Sequence, residues 1–107
     1  MDAILHHHPV LTRFRQALAE LYGDRVERVV LFGSRARGDA REDSDYDVAV
    51  FLRDLSDRAR EMNRLADLAT GILAHEGEFI HAMPYRAGAY NERTPLMREL
   101  RREGVDL

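Results

Sequence analysis

The chain has 107 residues, 45% of them hydrophobic and 33% charged, with a formal net charge of -3. That length fits one domain around one hydrophobic core, and the composition excludes wholesale disorder and any global pull toward nucleic acid or anionic membrane. Cysteine is absent, which rules out a disulfide, a thiolate nucleophile or a cysteine zinc site; all 16 basic residues are arginine, so a phosphate can meet only Arg, His or a metal ion.

No window approaches the ~18 apolar residues of a membrane span, and Met1–His8 lacks the charged-then-apolar pattern of a signal peptide. A soluble, cytoplasmic protein is the expectation. His6-His7-His8 reads as a solvated entry to a helix rather than a metal tract. Val10, Phe14, Ala17, Leu18 and Leu21 then recur at three- and four-residue spacing, which predicts a helix over Pro9–Tyr22 with Pro9 in its first turn and Gly23 as its stop. Val26–Phe32 predicts a strand buried on both faces through Val29-Val30-Leu31-Phe32.

After the polar segment Gly33–Ser44, Val48-Ala49-Val50-Phe51-Leu52 predicts a second strand with Asp45-Tyr46-Asp47 at its entrance. A long helix is expected over 56–75, capped by Ser56, with Ala59, Met62, Ala66, Ala69 and Leu73 on its apolar face, broadened by Leu65 and Ile72. Glu78–Met83 reads as a third strand stopped by Pro84, and Tyr85–Arg93 as loop. Thr94 caps a last helix through Glu103, with Pro95 at its first position and Gly104 beyond it. The order helix, strand, strand, helix, strand, helix describes a small α/β (α+β) domain. Its sheet should be mixed and flanked by helices, since about a dozen residues join the first two strands without a long crossover.

Two features carry chemistry. Gly33-Ser34-Arg35-Ala36-Arg37-Gly38-Asp39 follows one buried strand, and Asp45-Tyr46-Asp47 precedes another. Residues two apart on a strand share a face, so Asp45 and Asp47 should project together and need a cation between them. Hard oxygen ligands beside a triphosphate suit Mg²⁺, which can clamp a transferring phosphoryl group. Gly33 permits a tight turn, its backbone amides and the Ser34 hydroxyl can bond phosphate oxygens, and Arg35 and Arg37 are candidate phosphate-neutralising groups. Tyr46 falls on the opposite face from the aspartates, which indicates packing. An EF-hand calcium loop from Asp43 fails because Val48 stands where glycine is required, and a Walker loop fails for want of lysine. A dinucleotide fingerprint lacks its three spaced glycines.

Gly33-Ser34, ten intervening residues and Asp45-x-Asp47 resemble the signature of the polymerase-β-like nucleotidyltransferase superfamily. Leu31-Phe32-Gly33-Ser34-Arg35-Ala36-Arg37-Gly38 through Ser44-Asp45-Tyr46-Asp47 looks like its minimal, stand-alone branch. The resemblance covers about residues 10–83, leaving 84–107 as a C-terminal tail. It implies a nucleotidyltransferase fold, binding of ATP or another NTP with Mg²⁺, and transfer of the nucleotidyl group. In that branch many members are antitoxins paired with a HEPN-domain toxin, silencing it by adding AMP to a tyrosine or by binding it. A small hydroxyl compound such as an aminoglycoside is the alternative acceptor. The resemblance also implies a third carboxylate from a later strand, joining the aspartates as metal ligand and proton acceptor. Glu78 is its best match and Glu76 the fallback, although an aspartate is the usual form. By strand parity His81 lies with Phe79 and Met83, opposite Glu78 and Ile80. Tyr85, Tyr90, Leu96, Met97 and Leu100 of the tail can fold back on the core or meet a partner, and Arg98, Arg101 and Arg102 form a solvated strip.

Overall fold

A computed structural model describes residues 8–107. In it α1 (Pro9–Tyr22) and a short 3₁₀ turn lead into β1 (Val26–Phe32), and a single helical turn, α2 (Ser34–Arg37), follows at once. Next come β2 (Tyr46–Leu52), α3 (Arg58–Glu76) and β3 (Ile80–Arg86). A 3₁₀ segment (Ala87–Asn91), α4 (Pro95–Glu103) and the two-residue β4 (Val105–Asp106) close the chain.

The four strands form one sheet in the order β3-β2-β1-β4. β1 is antiparallel to β2 and to β4, whereas β2 and β3 run parallel. A parallel neighbour needs a crossover connection, and α3 supplies it. The sheet is therefore mixed, as the element order implied.

Strand parity sorts the core into two layers. Val29 and Leu31 of β1, with Tyr46, Val48, Val50 and Leu52 of β2, pack under α1 and α3. On the other face Val30, Ala49 and Phe51 meet Ala89 of the 3₁₀ segment and Met97 and Leu100 of α4. The tail thus folds back as the second layer. Gly104 lets it do so, since a Cβ there would stand 2.3 Å from the Leu100 carbonyl oxygen and 2.5 Å from Val30 Cγ1.

Four local expectations change. α3 begins at Arg58, not Ser56, because the Asp57 side chain accepts from the Arg60 amide at 3.1 Å and is the cap. Its buried face is Glu61, Leu65, Ala69 and Ile72, while Met62 and Leu73 are 36% and 41% exposed. A carboxylate occupies the first buried position, held by Arg25 and Arg64 at 3.5 Å each, which apolar spacing alone cannot register. α1 likewise buries Val10, Leu11, Phe14, Leu18 and Tyr22 and leaves Leu21 outside. Finally, β3 runs through Pro84 to Arg86, and Ala87–Asn91 is helical rather than loop. β3 is an edge strand, where a residue without an N–H donor is tolerated on the unpaired side.

Candidate nucleotide site

Gly33 ends β1 and opens α2 with φ 75°, a left-handed conformation natural to glycine. The pairing Phe32↔Asp47 brings the start of β2 alongside it. A Cβ on Gly33 would lie 2.6 Å from Asp47 Oδ2, so the carboxylate rests directly on the glycine backbone. Two independent demands, dihedral and space, make this position glycine.

Ser34 is the first residue of α2, and the amides at the start of a helical turn lack acceptors within it. The Ala36 and Arg37 amides both return to the Gly33 carbonyl at 3.1 Å, which fixes the turn beside Asp47. Gly38, at φ 85°, closes it. The Asp47 carboxylate and the tight turn at Gly33 thus share one corner.

Asp45 lies one residue before β2 and is exposed, while Asp47 is the first strand residue on the open face. Among the described residues neither carboxylate pairs with an arginine, although all 16 arginines lie in that part of the chain. Carboxylates left without guanidinium partners suit a divalent cation, and this donor chemistry fits Mg²⁺ completed by phosphate oxygens. Among the described residues no three His, Asp or Glu side chains already stand together as a metal cage.

The two arginines of the turn have other partners. Arg35 donates from Nε and Nη2 to the Ser44 carbonyl at 3.2 and 2.9 Å, and from Nη2 to the Glu42 carbonyl at 3.1 Å. Its guanidinium carbon also lies 4.4 Å from the Tyr46 ring centroid. Asp45 is therefore bracketed by two contacts of one side chain, and Arg35 staples the acidic loop to the turn. Arg37 pairs with Asp39 at 3.3 Å and with Glu103 at 3.6 Å, tying the turn to α4, and the Asp39 carboxylate raises its pKa.

Glu78 does not join the aspartates. It precedes β3, and its carboxylate lies 3.5 Å from the Tyr46 hydroxyl, on the helix-covered side. His8 Nδ1 stands 3.0 Å from the same hydroxyl, so this histidine is docked rather than solvated; His6 and His7 lie outside the described residues. Tyr46 is 1% exposed, the packing residue its parity indicated, and burial raises its pKa. Glu76 pairs with Arg13 at 2.9 Å, again away from Asp47. The residue of β3 opposite Asp47 is His81, whose Nδ1 is 3.5 Å from Asp47 Oδ1. Parity showed which side of its own strand His81 takes; only the parallel register shows whom it faces. A separate cleft of 510 Å³, lined by Arg58, Tyr85, Arg86, Glu92, Thr94 and Met97 among others, sits at the far end of β3. Among the described residues no helix is long and apolar enough to cross a membrane.

Comparison with known proteins agrees with this fold. A protein of Methanocaldococcus jannaschii named as a candidate protein adenylyltransferase is 29% identical over 83% of each chain. A second so named from the same organism is 37% identical over 43% of this chain, which matches 46%, about half, of that relative's length. The crystal structure of a candidate nucleotidyltransferase from Sulfolobus solfataricus superposes with a TM-score of 0.67 at 19% identity, covering 92% of this chain and 76% of that one. A chain of a toxin–antitoxin structure containing AMP-PNP superposes with a TM-score of 0.62 at 19% identity, covering 87% and 68%. A family profile described as "Nucleotidyltransferase domain" matches residues 11–96, and the chain belongs to that family.

Proposed function

We propose that the protein transfers AMP from ATP to a hydroxyl on a protein partner, a tyrosine of a HEPN-type toxin, and so acts as an antitoxin. One observation carries the nucleotide part of this reading. The Asp47 carboxylate lies against Gly33, the residue just before the Ser34 turn, so cation and phosphates can be held at the same point. The relatives named for protein adenylyltransfer and the toxin–antitoxin neighbour with AMP-PNP support the acceptor class.

In this reading Gly33, Ser34 and Arg35 present backbone amides to the terminal phosphates, and the Ser34 hydroxyl adds a donor. Asp45 and Asp47 would hold Mg²⁺, which would supply positive charge to offset that on the α-phosphate and the pyrophosphate leaving group. The chain forms no covalent bond itself; its contribution is position and electrostatics. Arg35 keeps the loop before β2 in place, so that Asp45 stands near Asp47.

The absence of a carboxylate from β3 opposite Asp47 favours one second reading, an antitoxin that neutralises by contact alone. Incubating the protein with MgATP and its toxin partner separates the two by mass spectrometry. Transfer predicts a gain of one AMP on the toxin, reduced by about 10²–10³-fold in rate for Asp47→Ala with the fold intact. Neutralisation that survives Asp47→Ala with no AMP on the toxin establishes the contact mechanism instead.

A further inference from the structure

Asp47 has two lateral neighbours in the sheet, Phe32 on β1 and His81 on β3. Phe32 offers no donor, so the side chain able to share a cation with Asp47 from within the sheet is His81. Two ligand atoms on one ion, each about 2.1 Å from it, stand about 3.0 Å apart at right angles and about 4.2 Å apart when opposite. The Asp47 Oδ1 to His81 Nδ1 separation is 3.5 Å, about half an ångström beyond the right-angle spacing, so a small turn of the ring brings both atoms onto one ion. The His81 side chain is 57% exposed and retains rotamer freedom, so its ring can turn toward an ion as phosphates arrive.

From this pair we infer that His81 is a third protein ligand of the metal, and that the chain prefers Mn²⁺ to Mg²⁺. The inference rests on the nucleotide-site reading above and adds the metal's identity to it. Mg²⁺ favours an all-oxygen octahedron and binds nitrogen poorly. Imidazole shifts affinity toward first-row transition ions, of which Mn²⁺ best retains an oxygen-rich shell with triphosphate. Glu78 offers no competing ligand, since its carboxylate lies at the Tyr46 hydroxyl on the covered side.

The test uses Mn²⁺ with AMP-PNP and protein grown with ¹⁵N-labelled histidine, read by pulsed electron paramagnetic resonance. A ¹⁵N coupling to Mn²⁺ is expected, separable from the ¹⁴N of the nucleotide, and it should vanish in His81→Gln. In calorimetric titrations the Mn²⁺-over-Mg²⁺ preference should fall about tenfold in His81→Gln, and His81→Asp should move it toward Mg²⁺. Mn²⁺ binding that is lost in Asp47→Asn but shows no histidine coupling in the parent overturns the role of His81 and leaves the nucleotide site standing. Binding unaffected by Asp47→Asn overturns both. A coupling that persists in His81→Gln assigns the nitrogen to another histidine and equally refutes the inference.

Discussion

The two faces of β2 do different work. Tyr46, Val48, Val50 and Leu52 are sealed under α1 and α3, while Asp47 begins the other face and only Ala49 and Phe51 behind it are roofed by the α4 layer. One face is closed along its whole length and the other opens at its first residue. The difference shows how so small a chain makes room for chemistry: the buried face and the deeper half of the open one hold the strand rigid, and a carboxylate projects where the cover stops. Stability and binding should therefore respond to different substitutions within the same few residues.

Six substitutions at five positions sharpen that contrast. Leu65→Ala, beneath the sealed face, should cost 2–5 kcal/mol as measured by chemical denaturation, about the usual range for a buried leucine. Nucleotide binding per folded molecule should stay the same. Gly33→Ala should cost about 1–3 kcal/mol and abolish nucleotide binding, because it adds a left-handed strain and drives a methyl into Asp47. Gly38→Ala shares the positive φ but has open space around it, so it should cost about 1 kcal/mol and leave binding intact. Equal effects at the two glycines would remove the case for close contact with Asp47.

Arg35→Ala should speed amide hydrogen exchange across residues 39–45 and weaken MgATP binding by about tenfold, with a stability loss near 1 kcal/mol. Arg35→Lys should not restore the loop, because an ammonium cannot bracket two carbonyls as a guanidinium does. The smallest effect belongs to Glu78→Gln, which keeps a partner for the Tyr46 hydroxyl and should leave the transfer rate within about threefold of the parent, far from the loss expected of a metal ligand. A 10²-fold loss would return Glu78 to the metal site.

Much of this was legible in the residues. The apolar runs Val29–Phe32 and Val48–Leu52 marked the two central strands, and the motif that joined the Gly33-Ser34 turn to the aspartates anticipated the contact of Asp47 with Gly33. Parity correctly buried Tyr46. Other features depended on contacts that no local pattern encodes. Glu61 occupies a core position through two arginines, so hydrophobic spacing found Leu65, Ala69 and Ile72 of the buried α3 stripe but added the exposed Met62 and Leu73 and missed Glu61. Pro84 stopped the strand in sequence terms because edge placement is a property of the whole sheet. An arginine near a phosphate loop reads the same whether it meets phosphate or staples carbonyls, and the structure engages Arg35 in the second way. The pairing of His81 with Asp47 needed the parallel register, which is set by α3 and not by either strand alone.

The central claim is that Gly33, Ser34 and Asp47 form one nucleotide-binding corner. Backbone amide spectra recorded while MgAMP-PNP is added test it most directly. The largest shifts should fall on Gly33, Ser34, Arg35 and Asp47, saturate together, and disappear in Asp47→Asn. Shifts gathered instead around Tyr85–Thr94 at the far cleft, or a spectrum unmoved at millimolar nucleotide, would contradict the account.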